Sequence, residues 1–341
     1  GGGGNNGNCC QAHVPAAASL HVSALRAPEI ANVTVAHSQS RGALFNVNGG
    51  HDWTIENSFL LNNGAAGLEV TGGNAHVTLT SLEIADNGGD GLVTNTTGNQ
   101  TLTACTLKDN GGNAMTLHTP GVLTANGNRV TRHPNGTGLI VSAASSASTF
   151  EDNWILLSSI VASVVPGVVE QLTKHDSQNL LSNWERGLYI RSGTVDIDAS
   201  WRKNPYPYVI SPQANVVIHA DAHLTLAAGV IIKAHPQRTH LNDPDFIIDG
   251  QLTALGTEEN PIIFTSLADD GPGGDTNGDG NATTPAPGDW GRLLFRTHSQ
   301  GNLKMVQLSY GGGGNNGNCC QANVPASGTL VVDAIQAPRL M

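Results

Sequence analysis

The chain has 341 residues, a formal net charge of −11 and only 16 Lys and Arg residues. That balance provides no basic patch to neutralise phosphates, so nucleic acid is excluded as the expected partner and a divalent cation is favoured. Aromatic residues are 4% of the chain and 42 residues are Gly, a composition typical of many short strands joined by tight turns. No run of 18 apolar residues occurs, so no membrane span is predicted.

The longest repeat opens the sequence. Residues 1–29 return as residues 311–339 at a fixed offset of 310, with 20 of the 29 positions identical. This spacing predicts one full repeat unit followed by the opening of the next, as in a segment of a tandem array. The predicted partners are therefore head-to-tail copies of the chain itself. The sequence divides into residues 1–200, residues 201–310 and residues 311–341, the last being a copy of residues 1–31.

Adjacent cysteines occupy equivalent positions in the two copies of this repeat. They are Cys9 and Cys10 in the first copy and Cys319 and Cys320 in the second. Paired cysteines favour an oxidising compartment, so we expect a secreted or cell-surface location and disulfide bonds at these residues. Three states stay open: a ring between the two neighbours, a bond to another molecule, or free thiols. The fifth cysteine, Cys105, falls in a strand pattern and is expected to be a buried thiol.

A shorter period of about two dozen residues runs through residues 54–140. Shifts of 24 and then 23 residues align Leu60, Asn63, Gly67 and Leu68 with Ile84, Asn87, Gly91 and Leu92, and these with Leu107, Asn110, Ala114 and Met115. Each unit is predicted to be a strand, an Asn-Gly turn and a second strand. A repeat this short cannot bury its own apolar face, so the coils must stack into a parallel solenoid with apolar ladders and stacked Asn side chains.

These coils, with an NGGxGL-type pattern over roughly residues 30–165, resemble the right-handed parallel β-helix with pectate-lyase-like coils. That family is common in secreted bacterial polysaccharide enzymes and surface proteins. Residues 201–310 are similar to the repeats of large bacterial cell-surface β-helix proteins, with matching motifs that begin at Trp201, Leu224, Gly250 and Trp290. The resemblance implies an all-β fold, a right-handed parallel β-helix in one continuous solenoid, serving an extracellular fibre, stalk or adhesin. Residues 166–200 match no motif and are expected to hold a loop or a short helix.

The strongest candidate for a ligand site is the insertion of residues 269–290. Asp275, Asn277 and Asp279 repeat the i, i+2, i+4 oxygen spacing of calcium loops, and Gly280 permits the sharp turn. An EF-hand would require Glu at the twelfth position, which is Ala286 here. The sequence therefore predicts a structural Ca²⁺ with a solvated acidic loop as the alternative. Further oxygen ligands are expected from these nearby residues: Asn281, Asp289, Asp269 and Asp270.

A polysaccharide lyase or glycoside hydrolase is the alternative function, because the resembling family includes such enzymes. The lyase pattern Arg-x-Pro-x-x-Arg is incomplete, since its nearest match begins at Arg132 and Thr137 stands where the second Arg belongs. Asp196 and Asp198 share a strand face and are candidates for paired carboxylates, although an exposed polar face explains the same spacing. The histidines show no metal-ligand spacing and are expected at the surface. No catalytic set is predicted, and a polysaccharide or a cell surface is a further candidate partner.

Overall fold

The computed structural model describes residues 17–25, 28–182, 186–236, 244–313, 328–335 and 337–341. They form two compact units: unit 1 comprises residues up to 162 together with 175–183, and unit 2 comprises residues 163–174 together with those from 184 onward. The predicted disulfides at Cys9, Cys10, Cys319 and Cys320 lie outside the described residues. The division of the sequence at residues 200 and 310 stays a prediction. Within the described ranges, no helix is both long enough and apolar enough to cross a membrane.

Unit 1 is built almost entirely from short parallel strands. Its strand at residues 154–164 extends beyond it, because residues 163 and 164 belong to unit 2. In chain order the strands are β1 (Ala18–Ala24), β2 (Glu29–Ala31), β3 (Thr34–Ala36), β4 (Arg41–Val47), β5 (Trp53–Glu56), β6 (Phe59–Leu61), β7 (Leu68–Gly72), β8 (Val77–Thr80), β9 (Glu83–Ala85), β10 (Leu92–Thr96), β11 (Gln100–Thr103), β12 (Thr106–Lys108), β13 (Met115–His118), β14 (Leu123–Asn126), β15 (Arg129–Ala143), β16 (Thr149–Glu151), β17 (Trp154–Val164) and β18 (Leu180–Ser182). A 3₁₀ turn, His175–Ser177, precedes β18.

Successive coils of unit 1 add strands to three parallel ladders. Face 1 contains β1, β4, β7, β10, β13 and the second half of β15; face 2 contains β3, β6, β9, β12, the start of β15, β17 and β18; face 3 contains β2, β5, β8, β11, β14 and β16. Ile84 lies between Leu60 and Leu107 in the register of face 2. Leu92 lies between Leu68 and Met115 on face 1. The alignment predicted from the short period is confirmed, and so is the parallel β-solenoid.

Left-handed backbone conformations turn the chain at both ends of the face 2 strands. β6 lies between Asn57 (φ 49°) and Asn62 (φ 54°), and β9 lies between Ser81 (φ 54°) and Asp86 (φ 56°). Asn and Asp tolerate this conformation better than other non-Gly residues, because their short polar side chains make local hydrogen bonds. The corners confine β6, β9 and β12 to three residues each.

Stacked Asn side chains join the coils at the corner that follows face 2, as the sequence predicts. Asn87 Oδ1 accepts from the main-chain N–H of Asn63 (3.0 Å) and from Asn63 Nδ2 (2.9 Å). Asn87 Nδ2 donates to Asn110 Oδ1 (2.8 Å) and to the carbonyl oxygen of Leu60 (3.0 Å). Gly91 makes room for this stack, because a Cβ there would approach Asn110 Nδ2 to 2.9 Å. The recurrent Asn and Gly of the short period therefore belong to one packing unit.

His133 replaces Asn at the next position of the stack, where Ala114 also replaces the recurrent Gly. The surface location expected for the histidines is wrong for His133, which is fully buried. Asn110 Nδ2 lies 3.1 Å from His133 Nε2, and it must donate because Asn110 Oδ1 accepts from Asn87. His133 is therefore neutral, with its proton on Nδ1. Burial lowers the pKa of His133 to about 4, against the opposing influence of the Asp109 and Asp90 carboxylates.

A second Asn stack begins at Cys105. The main-chain N–H of Cys105 donates to Asn128 Oδ1 (3.0 Å), Asn128 Nδ2 donates to Asn153 Oδ1 (3.0 Å), and Asn153 Nδ2 donates to Asn179 Oδ1 (3.0 Å). The Cys105 side chain is buried, and that burial raises the pKa of its thiol to about 11. The predicted buried thiol is confirmed.

Unit 2 contains a short helical segment and a second set of parallel strands. The helical segment is a 3₁₀ turn, Pro166–Val168, followed by α1 (Val169–Thr173), which agrees with the short helix expected in this region. The strands are β19 (Leu188–Ile190), β20 (Gly193–Val195), β21 (Ala199–Trp201), β22 (Tyr208–Ile210), β23 (Asn215–Ile218), β24 (His223–Leu226), β25 (Ile231–Ala234), β26 (Asp245–Ile248), β27 (Gln251–Leu255), β28 (Ile262–Ser266), β29 (Leu293–Phe295), β30 (Gln300–Lys304), β31 (Val306–Leu308), β32 (Leu330–Val332) and β33 (Arg339–Leu340).

These strands also form three ladders around an apolar interior. Face 4 contains β19, β22, β25, β28 and β31; face 5 contains β20, β23, β26, β29 and β32; face 6 contains β21, β24, β27, β30 and β33. Buried aromatic rings follow one another inside unit 2. Their centroids are 6.0 Å apart for Trp201 and Phe246, 5.6 Å for Phe246 and Phe264, and 6.4 Å for Phe264 and Trp290. Few aromatic residues therefore supply much of the core of this unit.

Replacing Asn87 with Ala should lower the free energy of unfolding of unit 1 by about 3 kcal/mol, because buried partners in two neighbouring coils lose their hydrogen bonds. Asn74 is exposed, and the control Asn74→Ala should change stability by less than about 0.5 kcal/mol. Denaturant unfolding of the three proteins measures both differences. Equal stability of the two variants would contradict a stabilising Asn stack.

The free energy of unfolding should fall as the pH falls from about 6.5 to 4, because the unfolded state binds a proton at His133 that the folded state does not. The loss should approach about 3 kcal/mol at the acid end of this window. The variant His133→Asn should have a flatter profile, whereas His51→Asn, at an exposed position, should keep the wild-type slope. Parallel profiles for wild type and His133→Asn would show that this imidazole does not set the slope.

Candidate metal centre

The predicted calcium loop lies in unit 2 between β28 and β29, and Asp275 organises its backbone. Asp275 Oδ1 accepts from the N–H groups of Gly278 (2.7 Å) and Asp279 (3.2 Å), and Asp275 Oδ2 accepts from that of Gly280 (2.8 Å). The bond from Gly280 is the main cause that lowers the pKa of the Asp275 carboxyl, with Gly278 and Asp279 adding to it against partial desolvation. Gly278 and Gly280 have φ values of 69° and 70°, so Gly is needed at both turns.

Three carboxylates converge in this loop. One oxygen each from Asp270, Asp275 and Asp279 lies within 4.8 Å of the others. Two oxygens bound to one Ca²⁺ at about 2.4 Å are at most about 4.8 Å apart, so the three groups have the spacing of a shared ion. Partial burial raises the pKa of the Asp270 carboxyl, and the negative charges of Asp275, Asp279 and Asp269 raise it further. A cation between them would relieve this repulsion.

Several oxygens in the loop are buried and lack a hydrogen-bond donor. They are Asp270 Oδ1, Asp279 Oδ1 and Asn277 Oδ1. Asn277 Nδ2 donates to Asp279 Oδ2 (2.9 Å) and to Thr283 Oγ1 (3.0 Å). Because buried oxygen acceptors without donors are costly, these three atoms fit a site for a hard cation.

Two of the remaining predicted ligands, Asp289 and Asp269, have other hydrogen-bond partners. Asp289 is buried and its Oδ2 accepts from Ser266 Oγ (2.7 Å) and the N–H of Ala286 (3.0 Å). Asp269 Oδ2 accepts from Thr265 Oγ1 (2.6 Å) and its Oδ1 from the N–H of Gly271 (3.1 Å). Asn281 is exposed, and its role as a ligand stays a prediction. Among the flanking carboxylates of the described residues, Asp270 is thus the one that shares the cluster with Asp275 and Asp279.

Lys233, which the sequence analysis did not single out, anchors this insertion to the solenoid. Its side chain is fully buried, and Nζ donates to the carbonyl oxygens of Asp269 and Gly274, both at 2.7 Å. Burial lowers the pKa of the Lys233 ammonium, and the nearby Asp269, Asp270 and Asp275 carboxylates oppose that shift. The signal in the sequence was a lone cation inside an apolar strand, Ile231–Ala234.

The insertion covers the outward side of face 4. Val209, Lys233 and Thr265 are paired in register on β22, β25 and β28, and their side chains alternate with the core residues. All three are nevertheless buried. A Cβ at Gly273 would approach Pro207 Cγ to 2.6 Å, so the loop packs closely on this face. The acidic cluster therefore lies in a folded insertion, residues 269–290, which we call the flap.

The candidate catalytic residues do not form a comparable arrangement. Asp196 and Asp198 are both exposed, and Asp198 Oδ1 accepts from the main-chain N–H of His223 (2.8 Å). Arg132 pairs with Asp109 on the surface of unit 1. Asp198 and Arg132 therefore each have a local structural partner.

Comparisons with known proteins identify the architecture. The family model described as "Right handed beta helix region" matches residues 10–155. No curated protein and no solved structure matches the chain. The resemblance stated from the sequence is confirmed for the fold.

Replacing Lys233 with Met should lower the free energy of unfolding by about 2 kcal/mol, because two buried carbonyl oxygens lose their shared donor. Met keeps the length of the side chain, so the change in packing is small. The control Lys304→Met removes the charge of an exposed side chain and should have an effect below about 0.5 kcal/mol. Thermal and denaturant unfolding measure both effects. Unchanged stability of Lys233→Met would contradict the anchoring role.

Proposed function

Residues 10–155 match the family model of a right-handed β-helix, and we propose that the chain is a structural repeat unit of an extracellular fibre, stalk or adhesin. The unit is secreted or held at a cell surface, joins head-to-tail copies of itself in a tandem array, and is stabilised by Ca²⁺. β-Helices occur in enzymes as well as in structural proteins, so the fold by itself does not select this function. The proposal is carried by the way in which the described strands of residues 1–31 and of their copy, residues 311–341, pair with their neighbours.

The two copies pair through opposite edges. In the first copy, β1 pairs with β4 and β2 pairs with β5, the strands that follow in the chain. In the second copy, β32 pairs with β29 and β33 pairs with β30, the strands that precede it. A single copy that had both sets of partners would therefore link the end of one tandem repeat to the start of the next.

The registers of this junction agree on face 5 and face 1. Leu330 lies opposite Leu293, and the equivalent residue, Leu20, lies opposite Ala43. Val332 lies opposite Phe295, and its equivalent, Val22, lies opposite Phe45. Leu293, Phe295, Ala43 and Phe45 are all buried. In both copies, apolar residues of the repeat thus lie opposite buried core residues.

The same agreement holds for the other strand of each copy. Leu340 lies opposite Leu303, and the equivalent residue, Ile30, lies opposite Ile55. A shift of one residue would turn every one of these side chains to the outside. In both ladders, equivalent residues of the two copies lie opposite inward-facing residues of the neighbouring strand. This agreement supports a continuous core from one tandem repeat to the next.

In this proposal, Ca²⁺ stabilises the flap of unit 2. The flap that carries Asp270, Asp275 and Asp279 buries the outward side of face 4 but has few apolar residues of its own. A cation shared by the three carboxylates would hold the flap closed. This is a stabilising role, and it needs no substrate or catalytic base.

Electron microscopy of the native full-length protein tests the array. We expect continuous thin rods, because each junction continues the ladders, and we expect the rods to soften when a chelator removes Ca²⁺. Discrete globular particles would contradict the structural proposal. Assays on acidic polysaccharides would then test the lyase or glycoside hydrolase alternative.

Isothermal titration with Ca²⁺ tests the metal site. Wild type should release or absorb heat on binding, and the double variant Asp275→Ala with Asp279→Ala should lose this signal. The milder variant Asp270→Asn should bind at least about tenfold more weakly, since one carboxylate charge is lost while its shape is kept. The control Asp196→Ala with Asp221→Ala removes two exposed carboxylates outside the cluster and should bind like wild type. Absence of heat at millimolar Ca²⁺ would contradict the site.

A further inference from the structure

The outer side of face 3 in unit 1 carries a row of threonines in register. Successive strands from β5 to β16 pair Thr with Thr at the same position. The residue that follows each of them is buried in the core, so the threonines all point outward. The row consists of Thr54, Thr78, Thr101, Thr124 and Thr149.

A second outward row runs beside the first, two residues further along each strand. It contains Thr80, Thr103 and Asn126 in register, with Glu56 before them and Glu151 after them. From β5 to β16, the charged side chains of the face 3 strands are therefore confined to the first and the last strand. The centre of the array is neutral and presents hydroxyl, methyl and carboxamide groups.

The preference of strands for β-branched residues does not explain this uniform row. The same coils carry mixed outward rows on their other two faces. On face 2 the row is Phe59, Glu83, Thr106 and Arg129. On face 1 it is Leu44, Glu69, Val93, Thr116 and Ile140. A repeated Thr at one face alone indicates a surface with its own role.

The hydroxyl groups of the array repeat at fixed intervals. Neighbouring strands are about 4.8 Å apart, and the two rows are about 6.6 Å apart because they are separated by two residues. Thr has few χ1 rotamers, so its hydroxyl and methyl groups keep similar directions from coil to coil. His76 Nε2 lies 2.9 Å from Thr101 Oγ1. Thr78 and Thr124 make no side-chain hydrogen bond to another described residue, so their hydroxyls are available to water.

We propose that face 3 of unit 1 binds the surface of ice. Oxygen atoms in an ice crystal recur at a spacing close to that of the coils, so a row of hydroxyls in register can take part in the lattice. The methyl groups between them hold water in ordered cages. The ligand is crystalline water, recognised by its repeat.

Other occupants fit this surface less well. The array measures about 24 Å by 10 Å, or about 240 Å², whereas a stable protein interface buries about 800 Å² of each partner. A second copy of the chain would thus gain too little area. Sugars stack on aromatic rings, but Trp53 and Phe150 of face 3 are buried in the core. Ice does not require a large contact, because molecules bound at intervals curve the growing surface and stop its advance.

Ice recrystallisation and thermal hysteresis of the full-length protein test the proposal. Wild type should keep ice crystals small and should separate the freezing point from the melting point. Thr78→Lys and Thr124→Lys each place a long charged side chain within the array, so each should lose both effects. The matched control Thr106→Lys makes the same change at an outward position of face 2 and should keep both. Circular dichroism verifies that each variant is folded.

Three results would overturn ice binding by this face. The wild type could leave ice growth unchanged, both folded array variants could remain as active as wild type, or Thr106→Lys could lose as much activity as they do. None of these results depends on whether the chain forms rods. Rods of native protein without any effect on ice would therefore reject this inference and retain the proposed function.

Discussion

The register of the hydrogen bonds between successive coils is the constraint on which the rest of the molecule depends. Side chains alternate between the two sides of a strand, so the pairing of Leu68 with Leu92 determines which neighbours also point inward. The corners, the Asn stack and the flap are placed relative to that register. The corners, the Asn stack and the flap each stabilise one part of the structure. A slip of one residue in register would exchange the inward and outward side chains of a whole ladder.

Polar atoms inside unit 1 are tolerated because the stack has a direction. Each Asn carboxamide accepts from the coil before it and donates to the coil after it, so every member fixes the orientation of the next. His133 ends this series with an acceptor, and its Nδ1 is buried without a partner. The amide of Asn110 thus sets the tautomer of the imidazole in the next coil. The stack therefore fixes the orientation of successive side chains along the solenoid axis and also holds neighbouring coils together.

The sequence predicted the coils well because two signals coincide in them. Apolar residues and the Asn and Gly positions recur with the same spacing, so a single alignment fixed the register around Leu60, Ile84 and Leu107. Corners were harder to predict, since Ala104 adopts φ 54° and Leu157 adopts φ 56° without the side chain that favours this conformation. There, the stacking of neighbouring coils imposes the backbone.

The candidate metal centre was predictable only in part. The spacing of Asp275 and Asp279 is a local property and was visible in the sequence. The choice of Asp270 over Asp289 depends on tertiary structure, because Asp289 is held by Ser266 and by the N–H of Ala286. The burial of Lys233 could not be predicted from its strand alone, since an outward position becomes an interior one only when the flap folds back over it.

The matching edges of the two repeat copies also bear on the evolution of such a protein. In the proposed array the same residues would form every junction, so recombination between copies would insert or remove whole repeat units without shifting a strand against its neighbour. The array would then change its length in one genetic event and still fold. The length of a surface structure built in this way would vary rapidly between generations, while the packing within each tandem repeat would stay unchanged.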